Sequence, residues 1–415
     1  MSAARLNLLI GGLFFLCYAY QLVYLLASLL PARKQRLPAR RHRFAVLIAA
    51  RNEQAVLGQL LKSLAAQRYP RERFTVCVVA DNCTDATAAV ALAHGARVFT
   101  RQDAHRVGKG YALDFLLHRL WETAGNDAYD AYLVLDADNL LEPDYLQQMD
   151  TTLSQGYDVV TGYRNSKNYG DNWISAGYAL WFLRDSRQLN GARARLGIGC
   201  VVSGTGFAFT HAVAQRQGGW PFHTLTEDTE FTAAHLCAGD RIGYCPQAVL
   251  YDEQPVRISQ SMRQRMRWAK GYFQVLRRYG RRLTAGALRG CFACYDLMAA
   301  ILPAFVLSLV SLAVNGADAV ACAAAGRPAW PALLALGQAV LGACGTLYLF
   351  GGVTLVTEWR RIRVPAAKKL GYFLLFPLFM LTYLPAAVAA LFCRVGWKPV
   401  EHTRALSVEQ LSSRQ

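Results

Sequence analysis

Acidic residues are scarce in this chain. Its 415 residues hold 28 Asp and Glu against 45 Lys and Arg, a formal net charge of +17. Such an excess invites a nucleic-acid partner, but the basic residues concentrate beside apolar segments, where anionic lipid attracts them. No nucleic-acid partner is therefore expected. Paired cysteine motifs are nearly missing: of 11 cysteines, only Cys291 and Cys294 stand at CxxC spacing. Without a second pair they do not make a zinc module, and the scattered thiols suit a reduced, cytosol-facing protein. No GxxxxGK[ST] occurs, which excludes P-loop hydrolysis of ATP or GTP. Repeats and low-complexity tracts are absent as well. No small-x-small cleavage site follows the apolar run Leu6 to Leu30, so that run reads as an uncleaved anchor of bilayer length.

What the chain has is apolar sequence, 53% of the whole. Arg33, Lys34, Arg36, Arg40, Arg41 and Arg43 follow the anchor. The positive-inside rule places them, and the domain they introduce, in the cytoplasm. Two more spans are expected at about Leu288 to Val314 and Trp330 to Val356, joined by an outward loop from Asn315 to Pro328. Leu370 to Cys393 is broken by Pro377 and Pro385. A full crossing would put Arg394, Lys398 and Arg404 outside; a re-entrant or interfacial segment keeps them inside and is the expectation.

Between anchor and spans, apolar runs alternate with helical patterns. Phe44 to Ala50, Phe74 to Ala80, Arg97 to Phe99 and Ala131 to Leu135 read as strands. Leu57, Leu60, Leu61 and Leu64 share one helix face, Thr84 is placed to cap a helix from Asp85 to His94, and another helix runs from Tyr111 to Trp121. The alternation predicts an α/β domain with a mostly parallel sheet, whose ligands bind at the carboxyl ends of the strands. Polar clusters stand there: Arg51-Asn52-Glu53, Asp81-Asn82, and Asp136 with Asp138.

Two carboxylates one residue apart repel each other unless a cation joins them, and hard oxygens suit Mg²⁺ or Mn²⁺ with positions left for phosphate. A solvated strand end is the plain alternative for Asp136 and Asp138. Turn chemistry is the alternative for Glu53 and Asp81, which otherwise accept hydrogen bonds from a base or ribose. Lys109 lies between glycines before a helix, where its ammonium can face a phosphate. Thr226-Glu227-Asp228 opens a helix, which by itself is ordinary capping and dipole chemistry. Its place in the chain also suits a general base. From Arg257 to Gly280, Ile258, Met262, Met266, Ala269, Phe273 and Leu276 form one helical stripe. Gln264, Arg267 and Trp268 cluster opposite, and a Trp away from the apolar stripe needs another partner.

In this order, Ala49-Ala50-Arg51-Asn52-Glu53, Asp81-Asn82-Cys83-Thr84-Asp85, Gly108-Lys109-Gly110, Asp136-Ala137-Asp138, Thr226-Glu227-Asp228 and Gln264-Arg265-Met266-Arg267-Trp268 resemble the membrane-integrated family-2 glycosyltransferases. That branch includes bacterial cellulose, hyaluronan, chitin-oligosaccharide and poly-N-acetylglucosamine synthases. Each motif is short; six in family order are specific. The resemblance implies a GT-A fold over residues 42–256, after an anchor at 1–31. It further implies an amphipathic interface helix at 257–284, membrane and interface helices at 285–395, and a cytosolic tail at 396–415. Ala49, Arg51, Glu53, Asp81, Lys109, Asp136, Gln264 and Arg267 would bind the nucleotide-sugar, and Asp136 and Asp138 a Mg²⁺ or Mn²⁺ ion. Asp228 would be the base with Glu227 beside it, and Trp268, Ser203 and Gly204 would meet the acceptor. The first motif departs from the family's Pro-x-Tyr/His-Asn-Glu: Ala49 replaces the proline and Arg51 the aromatic residue.

The resemblance implies inverting transfer from UDP-glucose or UDP-N-acetylglucosamine by an inner-membrane enzyme, with lipids around it and a homo-oligomer as one arrangement. The Gln-x-x-Arg-Trp set puts a processive polysaccharide synthase first. The alternative is single transfer to a lipid, since ceramide glucosyltransferases share the Asp-x-Asp and Arg-Trp features, and three or four spans are few for a channel. A non-enzymatic receptor for nucleotide-sugars is the third reading, opposed by the intact carboxylates.

Overall fold

A computed structural model describes residues 3–31, 39–396, 404–406 and 410. Arg33, Lys34, Arg36, Lys398 and most of the expected tail at 396–415 lie outside the described residues. The soluble part is built on an eight-stranded sheet of order β3-β2-β1-β4-β7-β6-β8-β5. The strands are β1 (Phe44–Ala50), β2 (Phe74–Asp81), β3 (Arg97–Arg101), β4 (Ala131–Asp136), β5 (Leu140–Leu141), β6 (Val159–Ser166), β7 (Phe207–Thr210) and β8 (Ile242–Asp252).

The four strands expected from the sequence form one parallel half, with β1 between β2 and β4 and β3 outside β2. The cores of β1, β2 and β4 are buried on both faces, which is why they read as unbroken apolar runs, while β3 is a half-exposed edge strand. β7 runs antiparallel to β4 and to β6, while β6 and β8 run parallel to each other. The carboxyl ends of β1, β2, β4, β6 and β8 therefore share one edge, and the loop entering β7 arrives at the same edge. Two apolar layers cover the sheet. One gathers Leu57, Leu60 and Leu64 with Val46, Ile48 and Val78. The other joins Leu113, Leu116 and Leu120 to Val134, Phe207, Phe209, Trp220 and Phe231.

Thr84 does not cap the following helix. Its N–H donates to Asn52 Oδ1 at 2.8 Å, which ties the ends of β1 and β2 together. The helix begins at Thr87, whose own N–H is held by Asp85 Oδ1 at 3.0 Å.

Among the described residues, three helices are long and apolar enough to cross a membrane: Arg5–Leu29, Val306–Ala324 and Trp330–Thr357. The second starts later than expected. Leu302 precedes Pro303 and leaves the helical region (φ −126°, ψ −60°), because a residue before proline is disfavoured there. Phe292–Ile301 is thereby cut off as a short helix. The expected outward loop is largely helix, leaving only 325–329 as connection. Ala366–Leu374 and Phe376–Phe392 bend by 45° at their break. Pro377 sits in the first turn of the second piece, where a missing N–H costs nothing.

Candidate active site

The shared strand edge gathers the polar residues. Asp136 ends β4 in register with Ala49 of β1. Asp81 ends β2 opposite Arg101 and is paired with it, Arg101 NH1 standing 2.6 Å from Asp81 Oδ1 with both side chains buried. Arg51 and Glu53 follow β1, half-buried, and the Glu53 N–H donates to Thr87 Oγ1 at 2.8 Å. Asn52 and Asn82 turn through positive φ (57° and 51°), a conformation that Asn tolerates.

Lys109 opens the helix Lys109–Ala124 after Gly108, whose φ is 140°. Its ammonium pairs with Asp136 and donates to the Gly204 carbonyl at 2.7 Å. The expected phosphate ligand thus bridges the first carboxylate of Asp-x-Asp and the loop before β7. Gly110 is required here: a methyl at that position would lie 2.0 Å from the Phe222 carbonyl oxygen. The close approach docks this helix against the segment leading to Glu227 and Asp228.

Thr226 precedes the helix Glu227–Ala238, as the sequence indicates. Gly204 (φ 76°) lies against the second of these acids: a methyl on it would stand 3.7 Å from Asp228 Oδ2. Burial, and then the neighbouring Asp228 charge, push the Glu227 carboxyl up to about 7, while Lys109 and Arg267 pull it down. Burial also raises Asp228, opposed by the Thr229 N–H and by Lys109, Arg267 and Arg164. A raised carboxylate is a stronger base near neutral pH, which general-base work requires.

Asp138 is buried, and its Oδ2 accepts from the Glu253 N–H at 2.8 Å. Asp136 is more open, its side chain 37% exposed. Among the described residues no three His, Cys, Asp or Glu side chains form a metal cluster. Two hard carboxylates at the rim of a cleft nevertheless fit a hard divalent ion that takes its remaining oxygens from a diphosphate and water.

Three site residues went unrecognised in the sequence. Arg164 of β6 donates to Asp252 Oδ2 at 2.6 Å and to the Ser203 carbonyl at 3.0 Å, and stacks 3.6 Å over the Phe182 ring. Asp252 ends β8, and burial raises its carboxyl to about 6 against the pull of Arg164. Lys167 is buried with its ammonium on the Asp138 carbonyl, and burial lowers its pKa. Asp252 carries the same signal that marked Asp81 and Asp136, a carboxylate closing an apolar strand. Arg164 and Lys167 carry no local signal.

The floor of the cleft is the helix Ile258–Leu288. Arg267 NH1 reaches the Leu225 carbonyl at 3.5 Å, and Gln264 Oε1 is buried without a partner. Trp268 meets Tyr178 and Phe182 edge-on, at 5.8 and 6.1 Å between centroids. The expected apolar stripe does not simply face lipid. Met266 and Ala269 are covered by Tyr383, Ala387 and Ala390, and Arg265 donates to the Phe379 carbonyl at 2.8 Å and to Thr382 Oγ1 at 2.6 Å. Small alanines let the last helix close on this one, so the floor is clamped between the sheet domain and the bent C-terminal pair.

Against known proteins, the chain is 27% identical over 243 residues to a probable glycosyltransferase, YdaM, of Bacillus subtilis, covering 57% of this chain and 56% of that one. It is 26% identical over 287 residues to a beta-monoglucosyldiacylglycerol synthase of Nostoc, covering 64% and 58%. A synthase of the same name from Synechocystis is 26% identical over 235 residues, covering 55% and 47%. The chain spans about half the length of the curated relatives it matches. In fold it is similar to the mannosyltransferase PcManGT from Pyrobaculum calidifontis in complex with GDP-Man and Mn²⁺. That likeness has a TM-score of 0.63 at 20% identity over 94% of this chain and 99% of the other, which supports the GT-A architecture. Residues 42–271, more than half of the chain and all six motifs, match the family described as glycosyltransferase like family 2, and the chain belongs to that family.

Proposed function

We propose that this protein is a membrane-bound inverting glycosyltransferase that moves one hexose from a nucleotide diphosphate-sugar to a hydroxyl of a membrane lipid. The observation that carries it is the place of Asp228. It lies against Gly204, on a cleft whose floor helix is clamped by segments that enter the membrane.

In this mechanism Asp81 and Glu53 hold the nucleoside, and Lys109 leaves Asp136 to meet the diphosphate. Arg267 faces the same leaving group and neutralises charge as it departs, with the Gln264 Nε2–H₂ as a neutral donor beside it. Asp136 and Asp138 would hold a Mg²⁺ or Mn²⁺ ion, which when bound supplies Lewis-acid stabilisation of the diphosphate. Asp228 removes the acceptor proton, the hydroxyl oxygen attacks the anomeric carbon, and the bond to the diphosphate breaks. One displacement inverts that carbon. Trp268 offers an apolar face to orient the acceptor.

A lipid acceptor is favoured over a growing polysaccharide on two grounds. The beta-monoglucosyldiacylglycerol synthases are lipid glycosyltransferases by name. Polar side chains in the apolar helices are also bonded to protein, which leaves them engaged where a sugar path would need them: Asn7 and Asn315 hydrogen-bond each other at 2.8 Å, and Thr354 accepts from Gln188. The processive reading retains one supporting observation, the complete Gln264-x-x-Arg267-Trp268 set. The test is a donor screen with UDP-glucose, UDP-N-acetylglucosamine and GDP-mannose on protein in lipid vesicles, with mass measurement of the product. A single-sugar lipid supports the proposal, and a long polymer refutes it.

A further inference from the structure

Between the helices Trp173–Arg184 and Gly191–Leu196 the chain makes a π-helical turn, Asp185–Asn190. Such turns are rare and concentrate at functional sites. Here its polar side chains divide between two destinations. Toward the cleft, Asp185 Oδ2 accepts from Ser203 Oγ at 2.5 Å. Ser186 Oγ accepts from the Arg164 N–H at 3.1 Å. Asn190 clasps Val201, donating to its carbonyl at 2.9 Å and accepting from its N–H at 3.0 Å.

Toward the membrane, Gln188 Nε2 donates to Thr354 Oγ1 at 2.7 Å and to the Phe350 carbonyl at 3.2 Å, both in the Trp330–Thr357 span. Arg187 Nε stands 3.5 Å from Glu358, just past that span. Asn190 also accepts from Arg193, whose Nε donates to Asp296 Oδ2 at 2.7 Å. Tyr20 and Tyr24 of the N-terminal anchor donate to the same carboxylate at 2.7 and 2.8 Å. Gln188, Asn190, Arg193, Asp296 and Thr354 are all buried, so each of these bonds is costly to lose.

We propose that the π-helical turn Asp185–Asn190 is a positioning element. It fixes the loop carrying Ser203 and Gly204 to the N-terminal anchor and the Trp330–Thr357 span, and so sets where an acceptor hydroxyl meets Asp228. The wide turn is the reason one short segment serves both sides, because an added residue per turn rotates 187 and 188 away from 185 and 190. Among the described residues, Thr354 bonds only to Gln188 and to its own helix, so an effect of changing it on acceptor use travels through the turn. This role rests on the acceptor-site reading above.

The test uses full-length protein in lipid vesicles, with UDP-glucose and diacylglycerol as probes. Thr354→Val removes one hydroxyl at nearly constant shape, Thr354→Ser keeps it, and Asp185→Asn weakens the tie on the loop side. Loss of a buried hydrogen bond through the turn should raise the diacylglycerol KM or lower kcat about tenfold in Thr354→Val and Asp185→Asn. The UDP-glucose KM should stay near wild type, and Thr354→Ser should behave as wild type. Amide hydrogen exchange over 201–207 should quicken in Thr354→Val and not in Thr354→Ser, whether or not glucose is the sugar moved. Unchanged exchange in Thr354→Val overturns the proposal. So does a folded Thr354→Val enzyme with wild-type acceptor kinetics, or one losing donor and acceptor affinity equally. A wild-type protein that transfers nothing in the donor screen, with the exchange difference between Thr354→Val and Thr354→Ser still present, would count against the lipid-transfer reading alone.

Discussion

Asp228 and Glu227 share the first turn of one helix, and their raised affinities for protons differ in consequence. Asp228 faces the loop at Gly204, so Asp228→Asn should lower transfer by about a thousandfold or more, within the range expected for losing a general base. Donor binding, read by calorimetry, should persist. The pH profile follows from the sign of the shift. Burial raises Asp228, so the active carboxylate form is lost at a higher pH than for an ordinary aspartate. Transfer should therefore fall on the acid side with an apparent pKa above the usual aspartate range; an acid limb below that range counts against this pair. Residues that end apolar strands were legible before the fold was known, because a charge after a buried run marks a strand end. Arg164, Lys167 and Asp185 were not, because their meaning lies in partners such as Asp252, Asp138 and Ser203, far away in sequence.

At the scale of elements, helix contacts decide the shape of the floor. Gly177 lets the Trp173–Arg184 helix meet the C-terminal pair, since a methyl there would lie 2.3 Å from the Phe379 ring. Gly177→Ala should destabilise the protein by roughly 1–3 kcal/mol, the usual result of overpacking, seen as a lower unfolding temperature in detergent. It should also weaken acceptor use, because Tyr178, the next residue, packs on Trp268. The parallel half of the sheet was readable from continuous apolar runs. β6 and β8 were not, since polar residues interrupt both and their pairing slips between Gly162 and Tyr163. The floor helix was recognised by periodicity, but periodicity cannot say that Tyr383, Ala387 and Ala390 would cover part of its stripe.

For the whole molecule, the orientation expected from the basic residues beside the spans is open to a direct test. The anchor's last turn meets the sheet domain, the Leu30 carbonyl accepting from Arg195; with the basic side cytoplasmic, Val306–Ala324 crosses outward and Cys322 should lie across the membrane from Cys83. In sealed cells a membrane-impermeant maleimide should label a single-cysteine Cys322 protein, and Cys83 only after permeabilisation. The reverse pattern would invert the orientation proposed here. Chelating divalent ions should abolish transfer and re-added Mn²⁺ or Mg²⁺ should restore it, if Asp136 and Asp138 act as argued. The clamp on the floor helix has a consequence for biogenesis. Arg265 waits for the Phe379 carbonyl, 114 residues further along the chain, and Ala269 for Ala387 and Ala390. During synthesis the six motifs all emerge before the segment that braces the last of them. A nascent chain thus has the six motifs but no finished floor, and on the function proposed above competence for chemistry should arrive only once the final helices have packed.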